Sequence, residues 1–146
     1  MRNAAEVDRS STTGADEATL AVLRLRTGDG ELEFCSAGQV GALIVRTDRP
    51  TSIGQGTPAL ASDPDATYRA VKHVIHAGDV VILVSDALRK SRNAAGEQLG
   101  EAAIAECAAE NLHCDAERLG HILFDLWREH TADPQRPVSI VVAKRK

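Results

Sequence analysis

Asp86 is the residue of this sequence best placed to do chemistry. It follows the apolar run VVILV at residues 80–84, which is typical of a strand buried on both faces. A carboxylate just beyond such a strand can project from a rigid edge into a cleft, where it can act on a bound ligand. The plainer interpretation is that Asp86 only shapes a turn, as aspartate often does at the ends of strands. Local sequence alone leaves both interpretations open.

Three cations follow Asp86 closely, namely Arg89, Lys90 and Arg92. Arginine can pair with a phosphate group through two parallel hydrogen bonds, so this basic patch is a candidate docking surface for an acidic or phosphorylated partner. The alternative is a loop whose charges are simply solvated. Ser91 lies within the patch, but no histidine near it in sequence could serve as its base, which argues against a serine nucleophile.

Histidines and cysteines give no comparable signal. His73 and His76 are three residues apart on a predicted strand, so they point to opposite faces and cannot easily share a metal ion. Cys107 and Cys114 lack the C-x-x-C spacing of zinc sites, and we expect their thiols to pack as small apolar groups. These spacings predict no metal site built from histidine and cysteine.

The composition excludes several classes of function. The chain has 146 residues, a net charge of −4 and no basic stripe other than residues 144–146, which argues against binding to nucleic acid. No apolar run approaches the ~20 residues of a membrane helix, and the first residues lack the apolar core of a signal peptide. The three cysteines are an odd number, as expected in a reducing compartment. We therefore expect a cytoplasmic protein that binds neither nucleic acid nor membranes.

The elements that must position Asp86 follow from hydrophobic periodicity. Alternating or continuous apolar residues predict several strands, and the Asp29-Gly30 step predicts a tight hairpin turn between the first two. The predicted strands cover residues 18–26, 31–36, 42–46, 67–76, 80–84 and 138–143. Residues 47–66 are rich in Pro, Gly, Ser and Asp, which predicts a long surface loop.

Two helices are predicted before the last strand, at residues 102–111 and 116–129. The second has an apolar stripe along one face, with Asp115 as its candidate N-cap. This order of elements predicts an α+β fold, in which an antiparallel β-sheet has the two helices packed on it. The polar residues 1–17 predict a flexible N-terminal segment, and residues 18–146 are expected to form one domain.

Short motifs follow one another along this domain in a recognisable order. They are SAGQ at residues 36–39, GTP at 56–58, AGD at 77–79, SDA at 85–87 and SRNAAGE at 91–97. In order and spacing they resemble Asn-Ala-Gly-His, Gly-x-Pro, Pro-Gly-Asp, Thr-Asp-Gly and Ala-Arg-Asn-x-x-Gly-Glu of the SpoIIE-type metal-dependent protein phosphatases, members of the PPM superfamily. The resemblance implies a partial PPM-phosphatase-like α-β-β-α sandwich, equivalent to the second half of the family's domain.

The resemblance also implies an activity, the hydrolysis of phosphoserine or phosphothreonine by two Mn²⁺ or Mg²⁺ ions that activate a water molecule. It assigns Asp86 as a metal ligand, at the position of the aspartate in Thr-Asp-Gly. Hard divalent cations prefer several oxygen ligands, and the family supplies further carboxylates from its first half and from an acidic pair before the last strand. Here the first half has no counterpart, Ala87 replaces a glycine, and Arg136-Pro137 stands where the acidic pair is expected.

One carried-over ligand does not build a two-metal site, so we expect no efficient phosphatase and assign no catalytic residue. The first hypothesis is a degenerate SpoIIE-like domain without a cofactor that regulates bacterial signalling by binding a protein partner, of the anti-sigma factor antagonist type found in partner-switching circuits. The second is an active phosphatase, dependent on Mn²⁺ or Mg²⁺, of which this chain is a fragment without the first half. The third is a module that forms a homodimer, since a sheet that lacks neighbouring strands would expose an apolar face or edge.

Overall fold

The chain folds into two antiparallel β-sheets and three helices, in a computed structural model that describes residues 18–54 and 56–146. The strands are β1 (Leu20–Leu25), β2 (Glu31–Ala37), β3 (Ala42–Val45), β4 (Thr51–Ile53), β5 (Val71–Val74), β6 (Val80–Val84) and β7 (Ile140–Lys144). The helices are α1 (Asp86–Arg89), α2 (Gly100–Glu110) and α3 (Ala116–His130). One sheet has the strand order β1-β2-β5 and the other has the order β4-β3-β6-β7. Within these residues, no helix is both long and apolar enough to span a membrane.

The hairpin between β1 and β2 is closed by the turn that the sequence predicts. Asp29 accepts a hydrogen bond from the backbone N–H of Glu31 over 3.1 Å. Gly30 has a φ of +77°, and a Cβ at this position would collide with the Arg145 guanidinium and with the carbonyl oxygen of Ile75. The turn therefore requires glycine both for its backbone conformation and for its close neighbours.

Arg145 ties the two sheets together at this end of the molecule. Its guanidinium donates hydrogen bonds to the carbonyl oxygens of Ile75 and Gly28, which lie beside the first sheet. Its backbone pairs with the turn before β6, where Gly78 donates to the Arg145 carbonyl over 2.8 Å and Arg145 donates to the Asp79 carbonyl over 3.0 Å. The segment after β7 thereby clamps the first hairpin to the second sheet.

The four-stranded sheet divides the interior into two apolar cores. Between the sheets, Leu32 and Phe34 of β2 form one buried cluster with Ile44 of β3 and Val81 of β6. On its other face, the four-stranded sheet packs against α2 and α3. This second core contains Leu43, Val45, Val80, Ile82, Ile104, Leu119, Leu123 and Trp127. Strand β6 is therefore buried on both faces over most of its length, as its continuous apolar run predicts.

Several predictions from the sequence are confirmed. The fold is α+β, the strands pair in antiparallel fashion, and α2 and α3 cover one face of a sheet. Asp115 caps α3, because its carboxylate accepts a hydrogen bond from the backbone N–H of Arg118 over 2.7 Å. The flexible segment predicted at residues 1–17 lies outside the described residues.

Other features differ from the sequence-based expectation. Hydrophobic periodicity predicts one sheet, whereas the chain has the two sheets of the sandwich that the resemblance implies, because β2 pairs with β1 and β5 while β3 pairs with β4 and β6. Strand β4 lies inside the loop predicted over residues 47–66, where it forms an edge of the second sheet. A short helix, α1, follows β6 directly, so the chain turns back at the end of this strand through helical geometry.

The outer face of the three-stranded sheet is open to solvent among the described residues. Leu20 and Val22 on β1 and Val74 on β5 are each about half-exposed. The same face carries an ion pair between Arg24 and Glu33, with 3.3 Å between Nη1 and Oε2. This face therefore combines exposed apolar side chains with paired charges.

Candidate functional site

Asp86 is held in place by the end of β6 and by the residue before β7. The backbone N–H of Ser85 donates to the Ser139 carbonyl over 3.0 Å, and the Ser85 hydroxyl accepts from the Ser139 N–H over 3.1 Å. Helix α1 then begins at Asp86, and the fully buried Leu88 anchors it in the second core. Asp86 thus starts a helical turn directly after a buried strand, and its role as a ligand-binding carboxylate stays a prediction.

Both carboxylate oxygens of Asp86 contact cations. Oδ1 lies 2.6 Å from Nη2 of Arg89, and Oδ2 lies 2.6 Å from Nζ of Lys90. Partial burial by itself raises the pKa of Asp86, but the hydrogen bonds and charges of Arg89 and Lys90 outweigh this effect and hold the pKa below its usual value. Asp86 is therefore ionised at neutral pH, and two neighbouring charges neutralise it.

Asp86 lines a cleft of about 280 Å³ between β1 and the adjacent ends of β6 and β7. Most of the other side chains in its wall are apolar, and they include Ala21, Val40, Leu83 and Val141. Asp86 is the single charged residue in this wall. The cleft therefore offers one carboxylate and no second acidic ligand.

The residues around Asp86 do not fit a two-metal centre. Across residues 18–54 and 56–146, no group of three or more His, Cys, Asp or Glu side chains is placed to hold a metal ion. The cations on Asp86 would also repel an approaching divalent ion. Asp133, which lies near the position expected for an acidic pair, lines a different cleft from Asp86. The assignment of Asp86 as a metal ligand stays a prediction.

The cysteines pack where the sequence predicts. Cys107 and Cys114 are partly buried and pack against the second core, as predicted, and the Cys114 Sγ also lies 3.5 Å from Nε2 of His113. Burial raises the pKa of the Cys107 thiol, and the negative charge of Glu110 raises it further. A Cys107 thiol in this environment stays protonated at neutral pH and is a poor metal ligand.

The basic patch predicted after Asp86 is divided by helix α1. Arg89 is only 18% exposed and turns toward the loop after β2, where it donates to the Gln39 carbonyl as well as to Asp86. Lys90 and Arg92 both line a second cleft of about 330 Å³, although the Lys90 ammonium itself lies 2.6 Å from Oδ2 of Asp86. Successive residues of a helical turn point in directions about 100° apart, so neighbouring cations need not share one surface.

This second cleft, which we call the basic groove, lies between the segment after α1 and the segment after α3. Its wall includes Lys90, Arg92, Asn93, Thr131, Asp133 and Arg136. The Ala132 N–H donates to the Arg92 carbonyl over 2.8 Å and joins the two segments. Arg136 is not among the binding residues that the sequence suggests. The available signal was its cationic side chain at a position where an acidic pair is expected.

The segment that carries Arg92 is folded by its own hydrogen bonds. The Asn93 side-chain oxygen accepts from the backbone N–H groups of Ala95 and Glu97 over 3.0 and 2.9 Å. The Asn93 amide donates to the Glu97 carboxylate over 2.8 Å. The Ser91 hydroxyl donates to the Leu88 carbonyl over 2.8 Å, so this serine has a structural role. One wall of the basic groove is therefore preformed.

Solved structures with the same fold are phosphatase domains and their relatives. The RsbU and RsbW domains of Rv1364c from Mycobacterium tuberculosis match with a TM-score of 0.75 and 24% identity, over 92% of this chain and 38% of that chain. The phosphatase domain of SpoIIE from Bacillus subtilis, presoaked with Mn, matches with a TM-score of 0.64 and 15% identity, over 86% of this chain and 56% of that chain. RsbX in complex with magnesium matches with a TM-score of 0.65 and 12% identity, over 89% of this chain and 57% of that chain.

The fold is thus that of the PP2C-like, metal-dependent phosphatase domains, in partial form. The chain spans between 38% and 57% of the length of these solved chains. The family model of Stage II sporulation protein E (SpoIIE) matches residues 3–146, and this chain belongs to the SpoIIE family. Among curated proteins no match was found. The resemblance carried by the sequence motifs is therefore confirmed at the level of family and fold.

Proposed function

We propose that this domain is a catalytically impaired SpoIIE-type serine/threonine phosphatase domain that regulates bacterial signalling by binding a protein partner. The observation that carries the proposal is that both carboxylate oxygens of Asp86 are already in ion pairs, each 2.6 Å from a cationic nitrogen. Asp86 is the one residue of this chain that the family resemblance assigns as a metal ligand. A pseudophosphatase of this kind uses its scaffold for recognition instead of hydrolysis.

Metal binding at Asp86 would have to break its ion pairs with Arg89 and Lys90. Mn²⁺ and Mg²⁺ require several oxygen ligands, and two such ions need dense negative charge to offset their mutual repulsion. Here Arg89 and Lys90 add two positive charges beside one carboxylate. Because like charges repel, this environment lowers the affinity for a divalent cation.

Arg136 and Pro137 support the proposal independently of Asp86. They stand where the family places an acidic pair before its last strand. Arginine stays cationic at any physiological pH, and proline has no side-chain oxygen, so neither can ligate a metal ion. Because this position lies inside the chain, residues added at either end would not restore its carboxylates.

A protein partner is the expected ligand of such a domain. The related Mycobacterium tuberculosis structure contains an RsbU domain and an RsbW domain of one protein. By analogy with partner-switching systems, we propose an anti-sigma factor antagonist as the partner and sigma-factor regulation as the process. The three cysteines are unpaired, which supports a location in the reducing cytoplasm.

Calorimetric titration with MnCl₂, together with a phosphate-release assay on a phosphoserine peptide, tests the proposal. We expect no saturable binding of Mn²⁺ and no release of phosphate above that of Asp86→Ala. The double variant Arg89→Gln/Lys90→Met uncovers the carboxylate of Asp86, so it should bind Mn²⁺ more tightly than the parent chain. Mn²⁺-dependent turnover that disappears in Asp86→Ala would contradict catalytic impairment.

A second candidate is an active metal-dependent phosphatase whose other half lies outside this chain. It is favoured by the partial length of the match, since this chain covers 56% of the SpoIIE phosphatase domain and 57% of RsbX. In-frame coding sequence with acidic metal motifs upstream of Met1 would support it. Joining that sequence to this chain and measuring Mn²⁺-dependent phosphate release would then separate the two candidates.

A third candidate role is pairing with a second copy of the chain. It is favoured by the exposed apolar side chains of Leu20, Val22 and Val74 on one sheet face. Burying such a face stabilises an assembly in proportion to the apolar area removed from water. Light scattering with substitutions on this face tests this role.

A further inference from the structure

We infer that the chain forms a two-fold symmetric dimer through the free edges of β1 and β7, each of which pairs in antiparallel fashion with the same edge of a second copy. The observation that carries the inference is that these two edges lie one above the other, so that one symmetry axis pairs both. The inference deepens the third candidate role and rests on it, because it names the surface and the symmetry of self-pairing. The contact lies at the strand edges instead of the outer sheet face.

The free edges of the two sheets lie on the same side of the molecule. Among residues 18–54 and 56–146, β1 and β7 each have a neighbouring strand on one side only. Ala21 lines one cleft together with Val141, and Leu25 lines another together with Lys144. Strand β1 therefore lies above β7 and runs in the same direction. We call this side of the sandwich, with α3 beside β7, the open side.

The strands of the open side lack the features that normally protect a sheet edge. Natural proteins protect exposed edges with charged residues or proline, or by keeping the edge strand short. Residues 19–23 and 138–143 contain no charged residue and no proline. The opposite edges are protected, since β4 has only three residues and β5 carries Lys72. We therefore expect further strands to cover the open side.

Exposed apolar side chains are concentrated on the elements of the open side. Six large apolar side chains are exposed among the described residues, and four of them belong to β1, β7 and α3, namely Leu20, Val22, Val141 and Phe124. Phe124 also lines a cleft of about 390 Å³ between α3 and β7, which extends the apolar surface from the sheets to the helix layer. Removing this surface from water would stabilise association.

The backbone of β7 has groups that a second copy can pair with. Arg145, directly after β7, donates its N–H to the Asp79 carbonyl before β6. In an antiparallel pair, every second residue of a strand bonds to the same neighbour. The backbone groups of Ile140, Val142 and Lys144 therefore point away from β6, toward the open side. A two-fold axis beside Val142 would bring all three into hydrogen-bonded pairs.

The same alternation holds for β1, and its centre coincides with that of β7. The Arg26 N–H donates to the Glu31 carbonyl on the side of β2, so the backbone groups of Ala21, Leu23 and Leu25 point toward the open side. Leu23 is the midpoint of these residues and lies above the middle of β7. One axis roughly normal to both sheets therefore pairs both edges at once. A single extended segment of another protein would cover only one edge, which favours a second copy.

The open side is large enough for a stable dimer. Strand β1 has six residues, which makes the edge about 20 Å long at roughly 3.4 Å per residue. Two sheets and a helix layer make it about 30 Å thick at roughly 10 Å per layer. The contact then buries about 600 Å² on each copy and about 1,200 Å² in total, which is the lower end of the range for specific interfaces.

Sedimentation equilibrium of the full chain over a wide range of concentrations tests the inference. The parent chain should reach twice the mass of one copy. Val142→Pro removes an N–H that points away from β6, a change that edge strands tolerate. It should weaken the dimer about tenfold or more, since the symmetry removes one central hydrogen bond for each copy. Val74→Pro is the matched control, because it removes an outward N–H from β5 at the opposite edge, and it should leave the dimer unchanged.

Val141→Lys is a second test that does not depend on how well β7 accepts proline. Val141 is 56% exposed, so a lysine there should leave the fold intact, which circular dichroism verifies for each variant. It should weaken the dimer, because each copy then brings a charge to an apolar contact. Pairing through the outer face of the three-stranded sheet predicts the reverse, namely a loss in Val74→Pro and none in Val141→Lys.

The inference and the role on which it rests fail differently. A parent chain that is monomeric at every concentration would overturn both. A dimer that survives Val141→Lys, or that Val74→Pro weakens as much as Val142→Pro does, would overturn edge pairing and leave self-pairing intact. The measured mass is independent of hydrolysis, so each of these results leaves catalytic impairment as it stands.

Discussion

Lys90 connects the two clefts, since its Nζ lies 2.6 Å from Oδ2 of Asp86 while the residue also lines the basic groove. An anion in the groove therefore competes with Asp86 for the same ammonium group. Asp86 keeps its second contact, to Arg89, when Lys90 turns toward the groove. An anion in the groove would therefore have to compete with the ion pair between Asp86 and Lys90.

Asp86→Asn should reduce the loss of unfolding free energy that the fold shows as the pH becomes acidic. The pKa of Asp86 in the folded chain lies below the ordinary value of 3.8. Its ionised form therefore stabilises the fold above that pH, and the contribution is lost as the pH falls through the lower folded-state pKa. Urea unfolding between neutral pH and about pH 3 should show a steeper loss for the parent chain than for the variant. Asp48→Asn, on the exposed loop after β3, is the control and should show the same pH dependence of unfolding free energy as the parent chain. The same pH dependence for Asp86→Asn and the parent would contradict the prediction.

Gly30→Ala should destabilise the fold by about 2 kcal/mol or more, since a left-handed conformation and a collision with a backbone carbonyl are combined at one site. The φ of +77° disfavours any side chain, and a Cβ would meet the Ile75 oxygen and the Arg145 guanidinium. Gly28→Ala is a matched control in the same turn, because a Cβ there meets nothing within 4 Å. Urea denaturation should place Gly28→Ala within about 0.5 kcal/mol of the parent. Similar losses in the two variants would argue against the close approach of Arg145.

Leu123→Ala should cost about 2–5 kcal/mol, the usual range for a cavity left by a buried leucine. Leu123 lies in the core between α3 and the second sheet, together with the single tryptophan of the chain, Trp127. The adjacent Phe124 is partly exposed, and its ring centroid lies 5.4 Å from that of Trp127. Phe124→Ala should therefore cost less, and tryptophan fluorescence during unfolding measures both. A larger loss for Phe124→Ala would mean that α3 is rotated relative to this packing.

Val22→Lys should abolish self-association if a second copy covers the outer face of the three-stranded sheet. Val22 is about half-exposed on β1, and a lysine there places a charge beside the exposed Leu20 on the same face. Val141→Lys on β7 introduces the same charge at an exposed position of the other sheet and is the control. Static light scattering over a range of concentrations reports the mass. A parent chain that stays monomeric at the highest concentration would rule out the homodimer.

Local sequence patterns predict the individual strands and helices of this fold, but not which strands pair with one another. Strand β6 and the N-cap Asp115 are predictable because each signal lies within a few residues. Strand β4 is not, since Thr51–Ile53 is a short segment in a Pro- and Ser-rich stretch and becomes a strand through its pairing with β3. The division into two sheets depends likewise on which strands meet, and no local pattern records that choice.

The candidate site was predictable in the same partial way. Asp86 stands at the strand end with Lys90 beside it, as the sequence indicates, whereas Arg92 lines the other cleft. The inward turn of Arg89 depends on the unpredicted helix α1. Arg136 joins the groove only because the end of α3 is brought beside the segment that carries Arg92. Chain folding, not sequence proximity, assembles that surface.

The clamp formed by Arg145 links parts of the chain that are far apart in sequence. Its guanidinium reaches Ile75 and Gly28 across 70 and 117 positions of sequence. Contacts of such long separation form late and slowly in folding. Until they form, the hairpin of β1 and β2 lacks its tie to the segment after β7, and a partly folded chain with an open hairpin is prone to misassembly.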